Sequence, residues 1–383
     1  MPRIEGLALY EVGGRRNAVV GPTANVGVRP AEVRETILLV LDTDGRVGAS
    51  AWSPACGDAS AAGLGALVGS DPRDLFTWAD DRVAGASECL ATSLAAARSL
   101  DIALLDMCAQ YARVPLWRLL GQEQRARVPA YDCSVRFEDL VDAESSIESV
   151  VNAAKRAIES GHRALSVQVG RGRRWMEWPE CTQRDIDVCR AVRAMAGTGI
   201  AIMVDGGGGY GDYVDDAIDF LVETADCRFA IVQDLVADEW LSQLHSAMLA
   251  LGLRVPLASG SSLRSRAEFE ALFAQAPIEV LLVDVASTGL LEARATAEFA
   301  AAHGIRIALC HGSDSRLSVC AAAHLGRVAP ALLACQAGDA SSDDYDTPGL
   351  ALVDGAFEMD NSPGLGVAMF DPRTAVGGQG CSS

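Results

Sequence analysis

Lysine is almost absent. Lys155 is the only one in 383 residues, so the other basic side chains are arginines. It falls in SSIESVVNAAKRAIES, a stretch of helical spacing ahead of an apolar run. No strand end can therefore offer a lysine, which excludes a lysine base or a Schiff base. Paired cysteine spacing is also missing. The eleven cysteines are scattered with no CxxC, and they read as reduced thiols with packing roles in a cytoplasmic protein. No apolar run approaches membrane-spanning length, and MPRIEGLALYEVGG lacks the pattern of a signal peptide. Positive charge is short too. The formal net charge of −19 and the pI near 4.6 exclude nucleic acid and anionic membrane as partners. An anionic ligand would need a local cluster of arginines.

What is present is apolar and ordered. Half of the residues are hydrophobic, enough for one large barrel and a smaller domain. Residues 1–125 read as an α+β domain. RETILLVLDTD and GRVGASAW alternate as paired strands around Asp44-Gly45, and CLATSLAAARSLDIALLDMCAQYA has helical spacing. Over 126–344 the pattern becomes strand and helix in turn. The strand-like runs are VPAYDCS, ALSVQV, IAIMVD, FAIVQD, VPLASG, VLLVDV and IRIALCH, with a weaker eighth near ALLACQ. Seven or eight such units predict a closed (β/α) barrel, and CSVRFED stands where an open doubly wound sheet would carry a Gly-rich phosphate loop. Residues 345–383 return to hairpin-like sequence.

In a parallel barrel the strand C-termini share one mouth. Two runs end there on proton-handling residues, Asp284 and His311. Cys310 is expected to point to the other side of its strand from His311 and to pack. After the second strand, Arg171, Arg173 and Arg174 lie in VGRGRRW. They read as a solvated basic loop or as a positive flap that leans over the mouth and binds a carboxylate by its guanidinium forks.

Three segments in order, DIALLDMCAQYARVPLWRLLGQ, LLVDVASTGLLEA and NSPGLGVAMF, resemble the enolase superfamily, in particular its mandelate racemase and muconate lactonizing branch. The resemblance implies an α/β fold, a modified TIM-type barrel with an α+β capping domain built from the N-terminal region and the C-terminal tail. It implies a lyase or isomerase that abstracts a proton α to a carboxylate, with Mg²⁺ as the family cofactor, small carboxylate or acid-sugar ligands, and homo-oligomers. The family's three metal carboxylates end the third, fourth and fifth strands. Asp205 matches the first, Val232 or Gln233 stands at the second, and Ser261 stands at the third. The family's Lys-x-Lys base motif falls on Ser166 and Gln168, which become candidate ligand contacts, and its asparagine falls on Gly207. Asp284 and His311 match its Asp-His dyad.

Asp205 is thus either a residual metal ligand or the cap of the Gly206–Gly209 turn. Asp234 is expected to point away from Gln233, because neighbours on a strand face opposite sides. Three readings follow: a divergent enzyme using His311 with Asp284 and no ordinary Mg²⁺ site, an inactive ligand-binding or structural homologue, or an enzyme with a repositioned metal and the family's acid-sugar dehydration or racemisation, which the lost ligands disfavour.

Overall fold

The structure is a computed structural model describing residues 2–16, 18–52, 65–312, 315–338 and 340–369. Three antiparallel strands open the chain: β1 (Ile4–Arg15), β2 (Glu32–Asp42) and β3 (Val47–Trp52). β2 and β3 pair from Leu41 opposite Val47, around the turn at Asp44-Gly45. Asp42 Oδ1 accepts the N–H groups of Asp44 and Arg46, and Gly45 takes a φ of 80° that other residues resist. A short hairpin, β4 (Phe76–Ala79) and β5 (Arg82–Ala86), leads into helices α1 (Glu88–Ala96) and α2 (Leu100–Ala112). Leu100 to Ala109 are all buried, so α2 is the apolar spine of this capping region.

Eight parallel strands then close a barrel: β6 (Arg127–Val135), β7 (Ala164–Gln168), β8 (Ala201–Asp205), β9 (Val232–Gln233), β10 (Leu257–Ser259), β11 (Val280–Asp284), β12 (Arg306–Cys310) and β13 (Leu332–Ala337). β13 pairs back onto β6. Helices follow the first seven strands in turn: α3 (Ile147–Glu159), α4 (Glu180–Ala196), α5 (Val214–Glu223), α6 (Leu241–Ala250), α7 (Arg266–Gln275), α8 (Leu290–Ala302) and α9 (Arg316–Val328). α3 and α7 begin at capping boxes, Ser146 with Ser149 and Ser265 with Glu268.

Strand period sorts the side chains. Tyr131, Met203, Val280, Leu282 and Ala308 form an inner cluster, whereas Leu165, Val167, Leu281 and Val283 belong to the core shared with the helices. Among the described residues no helix follows β13. The chain runs instead through β14 (Ser341–Ser342), which joins the capping sheet at β1. β15 (Tyr345–Asp346) pairs with β18 (Ala368–Met369), while the hairpin of β16 (Leu350–Val353) and β17 (Ala356–Met359) extends the barrel sheet at β6. No described helix is long and apolar enough to cross a membrane.

Candidate active site

The strand ends open into a cavity of about 310 Å³. Asp284 ends β11 on the inward face set by Val280 and Leu282, and it stands level with Cys310 at the end of β12. His311 is the next residue, and Asp284, Cys310 and His311 all line the cavity. Cys310 shares the inward face of Ala308, so it looks into the mouth rather than away from it. Burial holds its thiol well above the usual range.

Asp284 is fixed by backbone donors. Oδ1 accepts Ala286 N–H (3.0 Å) and Ser287 N–H (3.3 Å), and Oδ2 accepts Gly312 N–H (3.2 Å). Among the described residues the carboxylate makes no direct hydrogen bond to the His311 ring. It holds the segment that carries the histidine, while Gln336 Oε1 accepts His311 N–H at 3.3 Å.

The other side of the mouth gathers Asp205, Gln233 and Asp234. Asp205 caps its turn as one of its two readings expected, with Oδ1 accepting Gly207 N–H at 2.9 Å. The Gln233 side chain also bonds Asp205, and burial still raises the Asp205 pKa. Asp234 does not point away. β9 stops at Gln233, and Asp234 takes a φ of 44°, so the strand alternation no longer applies to it. Its Oδ2 accepts the Ser261 hydroxyl at 2.6 Å. The Ser259 hydroxyl lies 2.9 Å from Asp234 Oδ1 and 2.6 Å from Asp238 Oδ1. One hydroxyl proton cannot serve both carboxylates. Burial and the charge of Asp205 push the Asp234 pKa up to about 7. Among the described residues Gln233 Oε1 is buried without a hydrogen-bond partner, and no three His, Cys, Asp or Glu side chains gather as a metal site.

The positive charge comes from arginines that the strand pattern did not single out. Arg136 follows β6, Arg264 follows β10, and Arg29 arrives on a loop of the capping region. Val20 and Arg29 bridge the base of that loop, and the Thr23 hydroxyl accepts the N–H groups of Asn25 and Val26. Asn25 Nδ2 donates to Gly207 O at 2.6 Å, and Trp175 Nε1 donates to Thr23 O at 2.8 Å. The expected flap is therefore placed differently. Arg171 is completely buried between Asp139 and Asp185, stacked on Phe137, and lines no part of the cavity. Arg174 donates to Asn25 O at 2.9 Å and so clasps the capping loop. The side chain of Arg173 lies outside the described residues. Gln168 lines the cavity and donates to Asp205 O at 2.7 Å. Ser166 is buried beneath it on the same strand, Val232 is buried in the helix-facing core, and Ser261 lines the cavity.

A family model described as "Enolase C-terminal domain-like" matches residues 149–373, more than half of the chain. The protein belongs to the mandelate racemase/muconate lactonizing branch of the enolase superfamily. This enolase-superfamily chain is 28% identical over 252 residues to a D-galactarolactone cycloisomerase from Agrobacterium fabrum, covering 63% of this chain and 61% of that relative. The match thus spans about three-fifths of the relative's length. An arabinonate dehydratase from Saccharolobus solfataricus is 23% identical over 197 residues, 51% of this chain and 48% of that one. Among solved structures, a galacturonate dehydratase from Geobacillus sp. in complex with D-galacturonate and 5-keto-4-deoxy-D-galacturonate superposes with a TM-score of 0.81 at 23% identity, covering 98% of this chain and 96% of that one. A mandelate racemase/muconate lactonizing protein from Geobacillus sp., complexed with magnesium and tartrate, gives 0.82 at 23% identity over 98% and 94%. These superpositions establish the enolase-type barrel and its cap. Mg²⁺ is the cofactor of the family.

Proposed function

We propose that the barrel mouth binds a small hydroxy acid of the acid-sugar type and that His311 removes the proton α to its carboxylate. The observation that carries this reading is the convergence of His311, Asp284 and three arginines on one cavity. Arg29, Arg136 and Arg264 supply forks that pair with a carboxylate and spread the charge that develops as the α-proton leaves. Asp284 acts as a positioning residue through the Gly312 backbone. Asp234 lies three strands round the barrel from His311, and its pKa near 7 makes it a group that gives or takes a proton there. Named activities of the relatives, a cycloisomerase and a dehydratase of sugar acids, fit a shared first step of α-proton removal.

The donor set does not suit an ordinary Mg²⁺ site. Asp234 has its oxygens on serine hydroxyls, Asp205 has one on a backbone N–H, and an amide stands at the second family position. Mg²⁺ asks for near-octahedral oxygen ligands with carboxylates among them.

Exchange of the α-proton for deuterium in a panel of sugar acids, followed by NMR, tests the proposal, since exchange needs the base and not a full turnover. The parent should exchange at least one acid and His311→Asn should not. Equal exchange in the two proteins removes His311 from the role, and no exchange across the panel leaves the ligand-binding homologue as the better reading.

A further inference from the structure

The floor of the barrel mouth carries a donor to which the proposed function gives no role. Tyr131 faces inward on β6. It packs with Met203, Leu282 and Ala308 inside the barrel, whereas Val128 and Ala130 of the same strand face the helices. Strand register sets its level. Asp284 pairs with Cys310, Leu309 beside Cys310 pairs with Cys335, and Gln336, the residue after Cys335, pairs with Tyr131. Asp284, Cys310, Gln336 and Tyr131 thus form one row across four adjacent strands, and all four line the cavity. His311 is the residue after Cys310 and lines it too.

The other members of the row are committed. Asp284 has both oxygens on backbone N–H groups. Gln336 uses both ends of its amide, with Oε1 accepting His311 N–H at 3.3 Å and Nε2 donating to Cys133 Sγ at 2.9 Å. A thiol such as Cys310 is a weak donor. Tyr131 differs. The residue is 1% exposed, yet among the described residues its hydroxyl has no hydrogen-bond partner and is not sealed from the cavity that the side chain lines. Its electrostatic neighbours place it at the mouth as well. After burial, Cys310, Cys133 and Asp205 act most strongly on the phenol, and all three line the cavity. Together these effects hold its pKa well above the usual value, so the hydroxyl stays a neutral donor. Buried polar groups are normally satisfied, and what enters the mouth is left to satisfy this one.

We propose that the Tyr131 hydroxyl donates a hydrogen bond to the carboxylate of the bound acid, on the oxygen that gains charge as the α-proton leaves. This rests on the reading of the mouth as a site of α-proton removal and adds a catalytic residue to it. The proton passes from the α-carbon to His311, and the electron pair of the broken C–H bond spreads onto the carboxylate oxygens. The Tyr131 O–H keeps its proton, and its hydrogen bond strengthens as the oxygen becomes more negative. A phenol packed into a barrel strand suits that task. Its ring is already fixed among Met203, Leu282 and Ala308, so no rearrangement is needed while charge develops.

The test compares the intact protein with Tyr131→Phe on a panel of sugar acids that includes gluconate. Because the hydroxyl has no protein partner to lose, the variant should unfold in urea at the parent's midpoint. By calorimetry it should bind the acids about tenfold more weakly, as loss of one hydrogen bond to a charged group implies. Exchange of the α-proton for deuterium should slow by about 10²-fold, the usual cost of losing one donor to a developing oxyanion. A structural role would not produce a larger loss in exchange than in binding at an unchanged midpoint. A Tyr131→Phe protein that binds and exchanges like the parent overturns the proposal and leaves His311 in its role. If the parent binds an acid but exchanges none, the reading of the mouth fails separately and affinity decides Tyr131. A tenfold loss then keeps the hydroxyl on the ligand, and equal affinity removes it. A parent that binds none of the panel overturns both.

Discussion

The buried carboxylates of the seam between cap and barrel and those of the barrel mouth are treated differently by their surroundings. At the seam each meets backbone donors of other elements. Asp101 on α2 accepts the N–H groups of Leu290 (3.0 Å) and Leu291 (2.8 Å) at the start of α8. Asp106 accepts Ala49 N–H from β3 (3.1 Å) and Leu365 N–H from the C-terminal segment (2.8 Å). These bonds tie the cap to the barrel and the tail to the cap. At the mouth, Asp234 has serine hydroxyls, shares one of them with Asp238, and feels the charge of Asp205. Donors in the seam complete the fold; acceptors left facing each other in the mouth leave a place for a proton or a cationic group. Asp284 is at the mouth but, like a seam residue, accepts backbone N–H groups, those of Ala286, Ser287 and Gly312.

The largest expected effect is at His311. His311→Asn should lower α-proton exchange by about 10²–10⁴-fold, the usual contribution of a positioned base. A loss of less than about tenfold would make the two regions alike, both structural.

Next comes the seam. Asp101→Ala leaves two N–H groups at the start of α8 without their acceptor, and urea unfolding should show a loss of about 2–4 kcal/mol. An unchanged midpoint would mean that the seam contributes little.

A smaller effect is expected from pH. Burial raises Asp101 to about 7 and Asp106 to about 6 despite their donors. Both values lie above the unfolded value near 3.9, so the folded protein keeps protons that the unfolded chain has released. The stability these two groups contribute is fully present below about pH 4 and is lost as pH rises to about 7. The unfolding free energy should fall over that window, and Asp101→Asn should flatten the slope. A slope unchanged in the variant would assign the pH dependence to other groups.

The smallest effect concerns metal. Mg²⁺ at about 5 mM should move the Tm by less than about 1 °C. A clear rise that vanishes in Asp205→Ala would give the mouth an ion and sharpen its contrast with the seam.

Much of the architecture was legible beforehand. The eight runs from VPAYDCS to ALLACQ became the eight barrel strands, because apolar runs separated by helical segments bury both faces in a parallel sheet covered by helices, here closed into a barrel. The strand-end rule also placed Asp284 and His311 at one mouth, and applied to CSVRFED and LASGSSLRS it would have found Arg136 and Arg264. Arg29 had no such signal, since it reaches the mouth on a loop from the cap.

The one-dimensional pattern thus determined the barrel, its cap and the level of the dyad, since hydrophobic period and strand direction are properties of the chain itself. Only the tertiary structure decided what each polar side chain meets. Arg171 looks like part of a basic loop until Asp139 and Asp185, both distant in sequence, close around it. Asp234 looks outward until a positive φ ends its strand. Charge and hydrogen bonding act through space over a few ångströms, and that proximity is set only when the barrel closes.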